Sequence, residues 1–320
     1  MYNNKRVLLL AGGGTLGSYT AAELLRLGCY VDIICLEDNV SDNERLCYYK
    51  GYADLEYLKE FLKNRHYDGI VNFIHYFDTQ TYKPVHMLLT SKTDHLIFLS
   101  SYRVYADFQT PVTETAPQLY DIVTDKKFLE TEDYAVPKSK NELFIKNESG
   151  TSNWTKVRPV ITFSDRRLDI VTLSGRLVLE LTEAGKEIFL PKKAKNLTAG
   201  LDWAGNSGKL IANLLFKENA LCEAFTVSSA QNLTWGEAAD IYTELLGAKF
   251  NWVDTERYIE EYPWLKDNPW MLKYDRLFDR KIDNSKILKV TELKKDDFTS
   301  IREGIKYELE KINKGEVKQL

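Results

Sequence analysis

Val7–Leu8–Leu9–Leu10–Ala11–Gly12–Gly13–Gly14–Thr15–Leu16–Gly17 decides how the rest of the chain is read. Four apolar residues run straight into glycines. The period then changes: Ala21, Ala22, Leu24, Leu25 and Leu27 recur at helical spacing up to Gly28. A second apolar run, Val31 to Cys35, follows. The order is strand, tight turn, helix, strand. Gly12, Gly14 and Gly17 fit G-x-G-x-x-G in the context that gives the pattern meaning, with Thr15 and Leu16 opening the helix. A pyrophosphate laid against the backbone N–H groups of a helix N-terminus meets the positive end of the helix. A side chain on the turn would hold it off, and the last glycine lets helix and strand pack closely.

At 320 residues the chain can bury a large core and divide into two units. The net charge of −4 has no basic surplus, which argues against non-specific nucleic-acid binding and against adhesion to anionic membranes. No apolar run approaches a membrane span. The basic pair before Val7 does not begin a signal peptide, because the apolar stretch is short and turns into the glycines. Cys29, Cys35, Cys47 and Cys222 show no C-x-x-C spacing, which fits reduced thiols in a cytoplasmic protein. His66, His75, His86 and His95 show no metal-ligand spacing, so no metal is expected. There is no internal repeat and no low-complexity segment.

In a dinucleotide fold an acid after the second strand holds the adenosine ribose. Here Cys35 stands at the strand end, and Glu37 and Asp38 lie just beyond it. Two acids with no nearby Lys or Arg would repel a 2′-phosphate, which favours NAD over NADP; an ordinary acidic loop is the other reading. Asp54 opens a helical pattern as an N-cap, or meets the adenine. Residues 70–74 form a buried strand with His75 at its C-terminal end, where ligands bind in open α/β sheets. Residues 79–92 read as a helix and 95–101 as the next strand. Alternating strands and helices at this spacing predict an α/β fold with a doubly wound parallel sheet. Residues 109–133 show little periodicity and read as a long functional loop. Tyr134 and Lys138 follow, four apart on one helix face. Pro137 is tolerated only in a first turn, which puts the start of that helix near Asp133.

The glycine turn, the strand ending Leu99–Ser100–Ser101–Tyr102–Arg103–Val104–Tyr105, Pro111–Val112–Thr113–Glu114 and the Y-x-x-x-K at 134–138 together resemble the short-chain dehydrogenase/reductase superfamily. Their order resembles its extended and atypical branch, the NAD-dependent epimerase/dehydratase family. Phe73–Ile74–His75–Tyr76 is similar to the subgroup that includes chloroplast stem-loop-binding proteins. Two departures stand out: the first glycine of the family pattern is Ala11, and its acid at the end of strand two is Cys35. The resemblance implies a Rossmann domain over 1–162, with about 197–229 returning to it, and a smaller substrate domain over 163–320. It also implies an enzyme that moves a hydride between nicotinamide and a carbinol carbon of a small-molecule substrate such as a nucleotide sugar. By the same resemblance Tyr134 is the acid/base, Ser101 anchors the substrate oxygen, Lys138 tunes Tyr134 and holds the ribose, and Phe73, His75, Val160 and Ile161 line the cofactor. A homodimer through helices near 80–92 and 134–147 is implied as well.

Physical chemistry is consistent with those roles. A tyrosine acting as base near neutrality needs its pKa lowered by about three units, roughly 4 kcal/mol. One positive charge at about 4 Å in an effective dielectric near 20 supplies about that much. In the resemblance, 4,6-dehydratases carry Asp and Glu immediately after the catalytic hydroxyl; Tyr102 and Arg103 stand there instead, leaving epimerase or reductase chemistry. Arg103 either binds a substrate phosphate or carboxylate or is simply solvated. Arg166 and Arg167 replace family residues that recognise phosphate and offer another route to it. The aromatic-rich stretch 264–274 lines a sugar pocket or packs against the first domain. The competing readings are a simple ketone reductase and a non-catalytic cofactor- or RNA-binding relative.

Overall fold

The computed structural model describes residues 2–131 and 133–314. The elements in chain order are β1 (Arg6–Leu10), α1 (Thr15–Arg26), β2 (Tyr30–Cys35), β3 (Leu46–Lys50), α2 (Leu55–Phe61), β4 (Tyr67–Asn72), α3 (Thr79–Ser91) and β5 (Thr93–Leu99). Next come α4 (Leu119–Ile122), α5 (Lys126–Glu130), α6 (Ala135–Asn147), β6 (Trp154–Pro159), β7 (Ile161–Phe163), α7 (Gly175–Glu183), β8 (Glu187–Pro191), β9 (Leu201–Trp203) and α8 (Ala204–Leu214). The chain continues with β10 (Glu223–Val227), α9 (Trp235–Leu246), β11 (Lys249–Val253), α10 (Thr255–Glu261), α11 (Trp264–Asp267), α12 (Ser285–Thr291) and α13 (Ile301–Asn313).

The apolar run of β1 is continuous because both faces of its sheet are covered. Val7 and Leu9 enter one core with Leu24 of α1 and Leu210 and Leu214 of α8. Leu8 and Leu10 enter another with Leu58, Tyr82 and Phe144 from the opposite helical layer. Seven strands lie in the order β10-β6-β5-β4-β1-β2-β3. Every pair in the sheet is parallel. The winding reverses between β1 and β4, and a crevice opens there at the carboxyl ends of the strands. The glycine turn leaves β1 on one side of this crevice, and His75 follows β4 on the other. α8 packs so closely on α1 that a Cβ on Gly208 would stand 2.7 Å from the backbone nitrogen of Thr20.

A second core gathers β7, β8, β9, α7, α9, α10, α11 and α13 around Phe163, Leu190, Trp235 and Tyr242. It carries two small parallel sheets, β8 with β11 and β7 with β9. α9 opens on a reciprocal cap: the Thr234 side chain accepts from Glu237 N–H while the Glu237 carboxylate accepts from Thr234 N–H.

Two features differ from the sequence reading here. The edge strand β3 was not expected; it is short and half-exposed, and its apolar signal is correspondingly weak. The loop expected over 109–133 contains α4 and α5, each too short to show a period. β6 stops at Pro159, and Ile161 starts a new strand paired with β9. The helix expected to start near Asp133 begins at Ala135 with Tyr134 as its cap residue, which leaves Pro137 in the first turn as expected.

Candidate active site

α1 starts with Gly14 as its cap residue. No side chain caps it and no acid lies in its first turn. The leading N–H groups and the positive end of the helix therefore face the crevice. A Cβ on Gly17 would stand 2.3 Å from the Gly12 carbonyl oxygen, so only glycine allows this turn to close. A Cβ on Gly14 would meet nothing within 4 Å; its side faces open space. Ala11, standing where the pattern has glycine, takes φ of +54°, a conformation that costs an alanine roughly 1 kcal/mol.

Two cavities abut at this point. One, of about 450 Å³, is lined by Gly13, Gly14, Cys35, Glu37, Asp54 and His75. The other, of about 370 Å³, is lined by Thr15, Leu16, Ser101, Tyr134, Val160 and Ile161. His75 of the first and Tyr134 of the second lie ring against ring, with centroids 4.8 Å apart and planes tilted by 32°. Phe73 does not follow them; it packs against the core of the sheet. The exposed Glu37 carboxylate reaches back over the glycine turn, where a Cβ on Gly13 would come within 2.9 Å of it. Asp54 caps α2 by accepting from Tyr57 N–H at 2.9 Å, and it still borders the cavity.

α6 sets Tyr134 and Lys138. Its register is held by the buried Glu142 carboxylate, which accepts from Arg158 Nε at 2.9 Å and Nη2 at 2.5 Å. Arg158 also donates to the Tyr105 hydroxyl at 2.9 Å. Lys138 is only 1% exposed. Its Nζ donates to the Leu99 carbonyl at 2.5 Å and lies 5.7 Å from the centre of the Tyr134 ring. Burial pulls its pKa down to about 7 against the pull of Glu142. Ser101 accepts from Arg103 N–H at 3.2 Å and so caps the turn at 102–104. Burial holds His75 at about 4, with Lys138 adding to the effect. Its Nδ1 has no hydrogen-bond partner among the described residues.

The charge expected to tune Tyr134 is not the one found. Burial raises the phenol, and the groups that oppose this are Arg103 and Arg167, not Lys138. Burial disfavours the charged form of Lys138 and holds its pKa near 7, while its Nζ donates to the Leu99 carbonyl. The Arg103 guanidinium carbon lies 5.4 Å from the Tyr134 ring centre. Arg103 pairs with Asp133 at 2.8 Å and with the buried Asp275 at 3.6 Å. Arg276 lines the same cavity, and both it and Arg280 also share Asp275.

No family model matches the chain, and no curated protein matches it in sequence. Solved structures do match across its length. An epimerase of Methanothermobacter thermautotrophicus is 17% identical, with a TM-score of 0.72 over 98% of this chain and 94% of that one. The enzyme WbmH of Bordetella bronchiseptica, in complex with NAD+, is 16% identical with a TM-score of 0.70, covering 98% and 100%. UDP-glucose 4-epimerase of Thermotoga maritima, with UDP-glucose, is 15% identical with a TM-score of 0.67, covering 98% and 100%. The chain shares the fold of these epimerase and NAD-complexed structures. In this fold the glycine turn, Ser101 and the Y-x-x-x-K come together across more than a hundred residues of sequence. Sequence reasoning missed Asp275 and Arg276, and Met271 fell in the stretch 264–274 read either as pocket lining or as packing; Met271 and Arg276 line the cavity. They arrive on a π-helical turn, Leu272–Arg276, and the residues just before it. Only the density of aromatic and charged residues in 264–280 hinted at them. Arg166, weighed as a phosphate ligand, donates to the Gly13 carbonyl at 3.1 Å, directly over the glycine turn.

Among the described residues no helix is long and apolar enough to cross a membrane, and no three His, Cys, Asp or Glu side chains group as a metal site. Cys29 and Cys35 are buried free thiols; Cys47 and Cys222 are exposed ones.

Proposed function

We propose that this chain is an NAD-dependent enzyme, an epimerase or oxidoreductase, acting at a hydroxyl or keto carbon of a sugar nucleotide or a similar hydroxylated substrate. The observation that carries the reading is that Tyr134, Ser101 and the open N-terminus of α1 border one cavity. The residues fit NAD: an uncapped helix start, a glycine with open space at Gly14, and the acid Glu37 with no cation at the ribose position. When bound, the nicotinamide would supply the hydride chemistry. The N–H groups of Thr15, Leu16 and Gly17 would hold the pyrophosphate, Glu37 and Lys138 the ribose hydroxyls, and Val160 and Ile161 the nicotinamide. The Ser101 hydroxyl would fix the substrate oxygen, and Tyr134 would take or return its proton. Arg103 and Arg167 stabilise the phenolate that this requires.

The reading keeps a nucleotide-binding unit over 1–162 and 197–229 and a substrate unit over the remainder. It places the protein in the cytoplasm as a homodimer through α3 and α6, which light scattering on the purified chain tests. Tyr134→Phe tests the chemistry. Hydride transfer should fall by about a hundredfold or more, the usual worth of a positioned acid/base, while NAD affinity measured by calorimetry stays within about twofold. Retention of wild-type turnover would remove Tyr134 from the mechanism.

A further inference from the structure

The cavity beside Tyr134 is unusually cationic for a site that handles a neutral sugar. Arg103, Arg167 and Arg276 all line it. Arg103 and Arg276 are withdrawn from water, their side chains 13% and 3% exposed. A buried guanidinium is costly unless it is paired and hydrogen-bonded. Pairing here is incomplete. Asp133 serves Arg103, and Asp169 serves Arg167 at 2.7 Å. Asp275 is shared by Arg103 at 3.6 Å, Arg280 at 3.4 Å and Arg276. Among the described residues, then, four guanidinium groups answer to three carboxylates. Arg103 Nε and Arg280 Nε and Nη2 are buried there with no hydrogen-bond acceptor.

Part of this cluster is architectural. Arg276 Nε donates to the Val171 carbonyl at 2.7 Å and Nη1 to the Tyr102 hydroxyl at 3.1 Å. Arg280 Nη1 donates to the Tyr105 carbonyl at 3.0 Å. Those bonds hold the π-helical turn in place and account for Arg276. They do not account for Arg103, whose guanidinium stands over the ring of Tyr134 and borders the cavity.

Resting on the functional reading above, we propose that the substrate carries a carboxylate on the carbon next to the one that reacts, and that Arg103 receives it. The phenol of Tyr134 meets the reacting oxygen, and the Arg103 guanidinium carbon lies 5.4 Å from the centre of that ring, so an anion held by Arg103 sits beside the reacting carbon. A planar fork suits a planar carboxylate. Hydroxylated acids, a uronic-acid sugar nucleotide or its free acid, are the class this site takes.

Matched probes test it: UDP-glucuronate against UDP-glucose, and glucuronate against glucose, titrated calorimetrically into the full chain with and without NAD. In at least one pair the acid should bind about tenfold tighter or more, the worth of a charge-assisted hydrogen bond. Arg103→Gln should erase that preference and change the neutral probe less than about twofold; Arg103→Lys should keep part of it. The wild-type ratio needs no variant, so misfolding of Arg103→Gln does not blunt the test. Equal binding of acid and neutral probe in both pairs, no binding in either pair, or a preference that survives Arg103→Gln overturns the proposal. A protein that binds the acid with the predicted preference but does not bind NAD would refute the functional reading and leave this one standing.

Discussion

Lys138 is a charged group held where charge is poorly tolerated. Its pKa of about 7 lies well below the usual 10.5 because burial disfavours the ammonium. Between those two values the unfolded chain binds a proton that the native chain has released, so stability rises with pH over that window. Below about pH 7 both states carry the proton and this contribution is flat. Lys138→Met should remove the rise. Urea unfolding at pH 7.5 and 9.5 should therefore show the wild type gaining on the variant at the higher pH; parallel behaviour would mean that the ammonium is not strained. The same residue shows what a motif can and cannot say. The four-residue spacing put Lys138 and Tyr134 on one face, and their separation of 5.7 Å agrees. The spacing could not say that a backbone carbonyl would take the ammonium and that Arg103 would face the phenol.

At the scale of the element, the glycine turn makes two opposite demands. Gly17 is needed for packing, since its α-hydrogen faces the backbone of Gly12. Gly14 is free of protein contacts and faces the crevice. Gly17→Ala should destabilise the fold by about 1–3 kcal/mol, as overpacking does, and weaken NAD binding with it. Gly14→Ala should leave the melting temperature nearly unchanged and still weaken NAD binding. Thermal unfolding beside calorimetry separates the two, and a Gly17→Ala protein as stable as wild type would contradict the close contact. This turn was legible in the sequence because its parts are contiguous and each changes the local period. β3 and β11 were not, being five-residue strands with half-exposed faces. Nor was the arginine cluster: Arg103 and Arg276 share one carboxylate only because a turn from the second core lies over the end of β5.

Across the whole molecule, three histidines, two buried and one half-buried, set the acid limit of the fold. His75, His86 and His95 are each held near 4 chiefly by burial. For His95 the hydrogen bonds agree. Its Nδ1 accepts from Phe216 N–H at 3.1 Å, and its Nε2 lies 2.7 Å from the Thr155 hydroxyl. Only the neutral ring can accept at one nitrogen and donate at the other. From pH 6.5 down to about 4 the unfolded chain takes up protons that the native chain refuses, so stability falls with acid. A shift of this size is worth roughly 3 kcal/mol per ring. His95→Gln should flatten the slope of unfolding free energy against pH between 6.5 and 4.5; an unchanged slope would place the limit elsewhere.

The Glu308 carboxylate on α13 accepts from Tyr19 on α1, from Trp203 Nε1 at 2.6 Å and from Asp165 N–H at 2.8 Å. The helix that begins at the glycine turn is thus tied to the last helix described, and its outer flank is roofed by α8 from the middle of the chain. During synthesis, α1 emerges from the ribosome long before either cover exists. Its apolar flank must wait for α8, so a nascent chain stalled before residue 204 would present that flank to chaperones, and the polar tie to Glu308 forms only once α13 has been made.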